Sequence, residues 1–419
     1  MGARTGEQFL ERLRGDKREL WLGSERIEDA TRHPALAGGA QAIAHVFDLQ
    51  HEYADDCLMP DPETGEPINV SHMIPRSLDD LLRRRRGLER ISAATVGMMG
   101  RTPDYMNVTF AGFAGRWRDW VGPDGANTRG ADNLVAFQKR LARGDISLTH
   151  TLVHPTVSRA KEMQVLGNPV PMHKVGETKD SVIISGARIL ATLAPYSDEL
   201  AVYPGFPLAE EGTEDYALSF SIPMDTPGLI FLCRDSTLTP QSDPFDRPMS
   251  TRFDEQDAFV IFDEVEVPKD ALFIDCNRDV YNSVMAISWW PNIMQQTTVR
   301  ALTKLEFAYA LACRMADAVG DQSDVTTDML GELACYVEMT RNAIIASEQL
   351  CRDYGDGVVF PDDRALHPMR SLLTEWVPRA LEIIMLIGSH NLLATPSRAM
   401  LDDERLRPLI DVYLDTANG

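Results

Sequence analysis

Apolar positions follow a helical period up to about residue 143, a strand period over 144–274, and a helical period again over 275–419. Thr5-Gly6-Glu7-Gln8 has capping-box spacing and predicts a short helix that Gly15 closes. Leu20-Trp21-Leu22, Gly23-Ser24 and Arg26-Ile27 predict a small hairpin. A helix is expected over about 34–55, then a turn-rich loop at 61–67. Ser77-Leu78-Asp79-Asp80 repeats the capping-box spacing and opens a helix through Leu81, Leu82, Leu88 and Ile91 to Met98 and Met99. That run feeds into Gly100-Arg101-Thr102-Pro103-Asp104-Tyr105-Met106-Asn107. Pro103 is expected to stop it there, leaving Arg101 and Tyr105 at a helix exit.

Leu218-Ser219-Phe220-Ser221-Ile222 alternates strictly, as a half-buried strand does. Residues 180–186 and 258–262 are strand-like, and Val265-Glu266-Val267 is cut off by Pro268. Several strands at short spacing predict a compact β unit. Beyond it, Leu302, Leu305, Ala308, Tyr309, Ala312, Met315 and Val319 form one helical stripe. A second helix is expected from after Thr327 to Tyr354, ended by Gly355. A third is expected over about 369–393, kinked or broken at Pro378. Its segment Ile383-Ile384-Met385-Leu386-Ile387 is apolar all round, which predicts burial on every side. Long helices of this kind form antiparallel bundles, often at a subunit interface. The domain reading is helical over 1–143, β over 144–274 and a helical bundle over 275–419.

Composition narrows the function. The 419 residues are 44% hydrophobic and 25% charged, as in ordinary globular chains. Lys and Arg number 41 against 63 Asp and Glu, a formal charge of −22. Such a body repels nucleic acid and anionic lipid, and plain solubility accounts for the charge. The six cysteines show no C-x-x-C pair and no histidine at ligand spacing, which argues against a metal site. They read as buried thiols of a cytoplasmic protein. The N-terminus lacks an apolar signal core, and no run of about eighteen apolar residues predicts a membrane span.

Candidate chemistry lies at Arg101 and Tyr105, with an imidazole from Leu148-Thr149-His150-Thr151-Leu152-Val153-His154-Pro155. A guanidinium, a phenol and an imidazole suit one task, gripping a phenolic or carbonyl oxygen while its charge changes. Singly, each reads as structure: Arg101 as a cap on helix carbonyls, Tyr105 as core, His150 as a satisfied buried imidazole. Arg83 to Arg86 spread around their helix and read as solvated charges or subunit-interface salt bridges, with a cofactor phosphate as the alternative. Trp117 and Trp120 read as packing over the β unit in preference to shaping a pocket.

The layout and five separated motifs carry a resemblance. They are Arg101-Thr102-Pro103-Asp104-Tyr105-Met106-Asn107, Leu148-Thr149-His150-Thr151-Leu152-Val153, Ser185-Gly186-Ala187-Arg188-Ile189-Leu190-Ala191-Thr192, Ser250-Thr251-Arg252-Phe253-Asp254-Glu255, and Gln296-Thr297-Thr298-Val299-Arg300-Ala301-Leu302-Thr303-Lys304-Leu305-Glu306-Phe307. From about residue 5 to its end the sequence resembles the oxygenase component of the 4-hydroxyphenylacetate 3-monooxygenase family, the two-component FADH2-dependent phenol hydroxylases. The resemblance implies an α+β, acyl-CoA dehydrogenase-like fold: an N-terminal helical domain, a central β-barrel and a C-terminal antiparallel helical bundle. It implies a flavoprotein monooxygenase using FAD, supplied as FADH2 by a separate flavin reductase. Oxygen adds at the flavin C4a carbon, and the C4a-hydroperoxyflavin hydroxylates a phenol ortho to its hydroxyl. It also implies a cytoplasmic homo-oligomer, a dimer or homotetramer.

By resemblance, Arg101, Tyr105 and His150 match the catalytic clamp on the phenol oxygen. His150, Thr151, Leu152, Thr156 and Arg159 match a flavin-lining segment, and Ala191, Thr192, Leu193 and Ala194 a strand end that meets the flavin ring. Gly205 and Phe206 fall in the substrate lid, 204–215, which sets substrate choice. His154 departs from the amide that relatives carry there; it is expected to alter the His150 pKa or to replace one hydrogen bond. Relatives continue past 406–411 with further helices that add flavin contacts and join the oligomer, whereas this sequence stops at Gly419. Two other readings compete with this one. 4-Hydroxybutyryl-CoA dehydratase shares the fold but needs cysteine ligands, and none lies between Cys57 and Cys233. A non-catalytic flavin- or partner-binding relative is the other.

Overall fold

The structure, a computed structural model, describes residues 2–155, 167–208, 211–239, 242–392 and 395–416. The helix Gly6–Arg14 is capped as its sequence predicts: Thr5 accepts from the Gln8 N–H, and the Gln8 side chain accepts from the Thr5 N–H. The hairpin Glu19–Leu22 and Glu25–Arg26 follows. It joins the central sheet, because Glu19–Leu22 pairs in parallel with Leu229–Cys233. Helices Ala37–Glu52, Leu78–Ala94, Pro103–Gly115 and Thr128–Gly144 complete the N-terminal part.

Two sheets make the centre. Six strands run in the order Glu25–Arg26, Glu19–Leu22, Leu229–Cys233, Asp257–Pro268, Ser181–Thr192, His173–Glu177. Four run in the order Leu272–Asp275, Leu218–Pro223, Glu199–Val202, Leu148–Thr151. Among the described residues they do not close into a barrel. Where they meet, Leu190 and Leu193 have φ of 65° and 63°; Leu190 makes a bulge within Ser181–Thr192, and Leu193 lies just past its end. The seam is held by the bridge between Val153 and Ile189, and by the Thr149 and Thr151 hydroxyls on the carbonyls of Thr192 and Ile189, each at 2.7 Å.

The four-stranded sheet lies between two cores. Leu200, Val202, Leu218 and Phe220 join the core under the other sheet, while Leu148, Ala201 and Ile274 join the core formed with the helices. Leu218–Pro223 is therefore buried on both faces, not half-buried as its alternation predicts. Its serines are satisfied under that cover: Ser219 donates to the Val202 carbonyl at 2.9 Å and Ser221 to Glu199 Oε2 at 3.0 Å.

The C-terminal part packs three long helices, Trp290–Val319, Asp324–Gln349 and Asp363–Gly388. The second starts earlier than expected because Ser323 caps it, accepting from the Thr326 N–H. The third carries Pro368 and Pro378 inside it without ending. Its apolar run is covered on one side only: Ile383 and Ile387 are buried, but Met385 and Leu386 are 66% and 53% exposed. Within this chain the predicted all-round burial is not met. The four adjacent arginines are pinned internally. Arg84 is fully buried, donating to Gln295 Oε1 at 2.9 Å and Asn292 Oδ1 at 2.7 Å, and Arg85 lies 3.1 Å from Glu348. Among the described residues no helix is long and apolar enough to cross a membrane.

Candidate active site

Pro103 starts a helix and does not stop one. The preceding helix ends at Ala94, and the chain turns through Val96 and Gly97 at φ of 46° and 71°. Pro103 then occupies the first turn of Pro103–Gly115, where its missing N–H leaves no bond unmade. Arg101 thus precedes a helix and Tyr105 lies in its first turn, which corrects the expected helix exit. Two glycines bring this loop onto the long helix Trp290–Val319. A Cβ on Gly97 would meet the Arg300 carbonyl at 2.7 Å, and one on Gly100 would meet Arg300 Cζ at 2.9 Å. The Arg101 N–H is tied to Glu255 Oε1 at 2.6 Å.

Alternation along Leu148–Thr151 fixes where the imidazole goes. Thr149 and Thr151 turn to the neighbouring strand, and Leu148 and His150 turn to the helices. His150 therefore stacks on Tyr105, with ring centroids 5.2 Å apart and planes at 28°. Tyr203 also stacks on His150, at 5.4 Å and 16°. The Arg101 guanidinium lies 4.1 Å over the Tyr105 ring. The three residues singled out in the sequence form one run, Arg101–Tyr105–His150, which Tyr203 extends.

Burial sets the charges in this run. It holds the His150 imidazole well below its ordinary value, with the Arg101 guanidinium adding to the effect, so His150 is neutral at neutral pH. Its Nδ1 has no hydrogen-bond partner among the described residues. Burial, then Tyr105, pushes the Tyr203 phenol well up, so it stays a neutral O–H. Burial opposes the charge on Arg101, but Tyr105 and Glu255 more than offset it and hold the guanidinium above its ordinary range. The run thus combines a fixed cation, the Tyr105 ring, a neutral imidazole and the neutral Tyr203 phenol.

Arg101 and Tyr105 open onto a cavity of about 380 Å3, within the range of about 300–1,000 Å3 for small-molecule sites. Trp289, Ile293 and Met294 give it an apolar wall, and Thr297 and Thr298 add hydroxyls. The π-helical turn Met285–Trp289, a widened turn of a kind common at functional sites, presents Trp289 just ahead of the long helix. His150 lies beside Tyr105 and is not among the described residues lining the cavity. Neither are Gly205 and Phe206. Gly205 packs on the Leu152 carbonyl, which a Cβ would approach to 2.1 Å, and Phe206 is 62% exposed.

The segments matched to a flavin are neighbours across the seam between the sheets. Thr151 bonds the Ile189 carbonyl and Leu152 accepts from Arg188 at 2.6 Å. Ala191, Leu193 and Ala194 are core residues, and the Ala194 carbonyl accepts from Arg18 at 2.7 Å. Thr192 is partly buried and donates to Asp257 at 2.6 Å. Thr156 and Arg159 lie outside the described residues. What this edge leaves unpaired are both ring nitrogens of His154, Arg188 Nε and Nη2, and His150 Nδ1, all buried. Buried polar atoms need partners, and these suit a flat heterocycle with carbonyls and ring nitrogens, as a flavin has. Burial, then Arg188, holds His154 down to about 2. The charge that bears on His150 is Arg101's.

Tyr203, Trp289, Arg300 and Lys304 belong to the site but were not singled out in the sequence. Arg300 and Lys304 stand four apart in a recognised motif, the spacing that puts two side chains on one helix face. Tyr203 follows the strand Glu199–Val202 with no separate signal.

The family model described as "4-hydroxyphenylacetate 3-hydroxylase N terminal" matches residues 5–274, and its C-terminal counterpart matches 282–419. The 4-hydroxyphenylacetate 3-monooxygenase oxygenase component of Thermus thermophilus is 33% identical over 418 residues, covering 99% of this chain and 85% of that protein. That of Geobacillus sp. is 31% identical over 414 residues, covering 98% and 83%. A crystal structure of such an oxygenase component complexed with FAD and 4-hydroxyphenylacetate matches with a TM-score of 0.92 at 32% identity, covering 99% of this chain and 86% of that one. With both halves matched in order and relatives aligned along almost its whole length, this chain belongs to the 4-hydroxyphenylacetate 3-hydroxylase family.

Proposed function

We propose that the chain is the oxygenase component of a two-component flavin-dependent aromatic monooxygenase. It hydroxylates a phenol ortho to its hydroxyl, using FADH2 from a separate flavin reductase. The observation that carries this is the run Arg101–Tyr105–His150 beside a cavity sized for one aromatic ring, in a chain of this family. The ring rests on Trp289, Ile293 and Met294, with its oxygen toward Arg101 and Tyr105. A free phenol has a pKa near 10. The fixed guanidinium favours the phenolate, which makes the ortho carbon electron-rich. Neutral His150, whose protonation burial and Arg101 disfavour, is the hydrogen-bonding activator of the run beside Tyr105. The apolar wall keeps water from the reacting atoms.

FADH2, when bound, would supply the two electrons that activate O2, one atom of which goes to the ring and the other to water. Thr151, Leu152 and the 191–194 segment would hold it together with Thr156 and Arg159. Leu381, Met385 and Leu386, each more than half exposed on one helix, support a homo-oligomer, a dimer or tetramer. The six free cysteines suit the reducing cytoplasm. The test is a panel of phenols incubated in air with the protein, FAD, a flavin reductase and that reductase's electron donor, scored for catechol. Catechol from at least one phenol is expected. No catechol from any phenol, together with no flavin binding, would instead favour the non-catalytic reading.

A further inference from the structure

The segment that carries Arg101 and Tyr105 packs along the long helix in an antiparallel register that repeats every four residues. A Cβ on Gly100 would meet Arg300 Cζ at 2.9 Å. Gln296 Nε2 donates to Asp104 Oδ2 at 2.9 Å, and Asn292 Nδ2 donates to the Val108 carbonyl at 2.7 Å. A Cβ on Gly112 would meet the Ser288 carbonyl at 2.6 Å. Four residues is about one helical turn, so these contacts fall in a row. Of the four, Asp104 with Gln296 alone is made by two polar side chains. Both are buried, yet Asp104 Oδ1 and Gln296 Oε1 have no hydrogen-bond partner among the described residues. A carboxylate only accepts, so an ionised Asp104 leaves both oxygens orphaned in a helix interface. A protonated carboxyl removes the mismatch, because its O–H is the donor that the amide oxygen lacks. Burial agrees: it raises the carboxyl to about 6, against the pull of the Thr102 and Gln296 side chains, its own N–H and Arg300. Cys57 is the other ionisable group near Asp104, and burial keeps that thiol neutral, up at about 12.

We propose that Asp104 is a positioning residue carried as a neutral acid, paired with the Gln296 amide through two hydrogen bonds, and that this pair sets Arg101 and Tyr105 against the wall formed by Ile293, Met294 and Thr297. The bonds are Gln296 Nε2–H to Oδ2 and Oδ1–H to Gln296 Oε1. Ionisation breaks the second and turns two acceptors on each other. It also puts a negative charge beside Arg300, next to the clamp. Both changes weaken the grip on a phenol oxygen, so the clamp is tightest while Asp104 keeps its proton. The positioning role rests on reading the cavity as the phenol site. Asn is the isostere of the neutral acid, with an oxygen that accepts and an N–H that donates at any pH.

The test uses the full chain and needs no turnover. Infrared spectra of wild type with isotope-labelled aspartate carboxyls are followed as pH rises. An aspartate is expected to keep its protonated C=O band up to about 6 or above, well past the ordinary 3.8. Asp145 is also raised by burial, so Asp104→Asn assigns the band, and one such band is expected to vanish. If no aspartate in wild type titrates that high, or if Asp104→Asn loses no band, the acid–amide pair is overturned. Phenol affinity is then measured by calorimetry in both proteins. From about pH 5 to about pH 8, wild-type affinity is expected to fall about fivefold relative to Asp104→Asn. A contact with a structural role alone would leave that ratio level, and a level ratio overturns the positioning role. The hydroxylase reading has its own failure, absence of catechol, and the infrared result stands apart from it.

Discussion

Replacing Arg101 with Gln removes the fixed charge and keeps the loop in place, because Glu255 holds the Arg101 backbone N–H and not its guanidinium. At about 4 Å and an effective dielectric of about 20, a cation–phenolate attraction is about 4 kcal/mol. At 1.36 kcal/mol per unit, that lowers a bound phenol's pKa by about 3 units. Arg300 and Lys304 face the same cavity and keep part of the field, so the loss on removing Arg101 alone is put at about 2 units. The assay needs no turnover. Bound 4-nitrophenol, whose phenolate is coloured, is titrated with pH against the same ligand in buffer. Wild type should show a bound pKa below the free value, and Arg101→Gln should return it most of the way. Arg101→Lys keeps the charge but not the planar fork, so it should retain most of the depression. If Gln and Lys behave alike, or if the wild-type protein leaves the pKa unmoved, Arg101 does not stabilise a phenolate and its role in the mechanism falls.

His150→Ala should spare flavin binding, slow hydroxylation by about 100-fold or more, and divert oxygen to peroxide. The ratio of catechol to oxygen consumed measures this, and an unchanged ratio removes His150 from the chemistry. Burial raises the Asp104 carboxyl from 3.8 to about 6. The unfolded chain therefore ionises first, and stability present below pH 3.8 is lost as pH rises through 6, by up to about 3 kcal/mol. Urea midpoints across that window should fall less in Asp104→Asn than in wild type; parallel profiles would refute the assignment. In Gly100→Ala the new Cβ presses on Arg300 Cζ from 2.9 Å, so phenol KM should rise while stability drops by about 1–3 kcal/mol. Met385→Arg places a charge on the 66%-exposed apolar face, and sedimentation should show a smaller assembly than wild type.

The elements were legible where local chemistry decides them. Thr5 and Ser77 cap the helices that their spacing predicts, and the hairpin lies where its pattern puts it, while the helices Asp324–Gln349 and Asp363–Gly388 begin and end earlier than their periods predict. The misses share a cause, namely that tertiary cover changes what a local pattern means. Ser219 and Ser221 read as solvent-facing until both sheet faces are covered. Ile383 to Ile387 reads as all-round core, though this chain covers only one side. Pro103 was misread locally: Thr102-Pro103-Asp104 has Pro at the first helical position and an acid in the first turn, the signature of a start. In the site, Arg101, Tyr105 and His150 were legible as a set through the resemblance. Arg300 and Lys304 became site residues only because Gly97 and Gly100 let their helix touch the loop, and no period records that approach.

Glu255 shows how the site keeps a usable positive charge. A carboxylate paired to the Arg101 guanidinium would cancel the field a phenol feels, and among the described residues no such ion pair forms. Glu255 instead accepts from the Arg101 backbone N–H at 2.6 Å, so it fixes the loop without engaging the guanidinium. Burial raises its carboxyl, against the pull of Arg101 and Arg300. Tyr105, under the guanidinium, contributes a ring face, which attracts a cation without neutralising it. Among the described residues the guanidinium thus forms no ion pair, while Tyr105 and Glu255 still favour its charged form. A phenolate oxygen is the counter-charge such an arrangement fits, and a neutral ring with no ionisable hydroxyl would leave it unanswered.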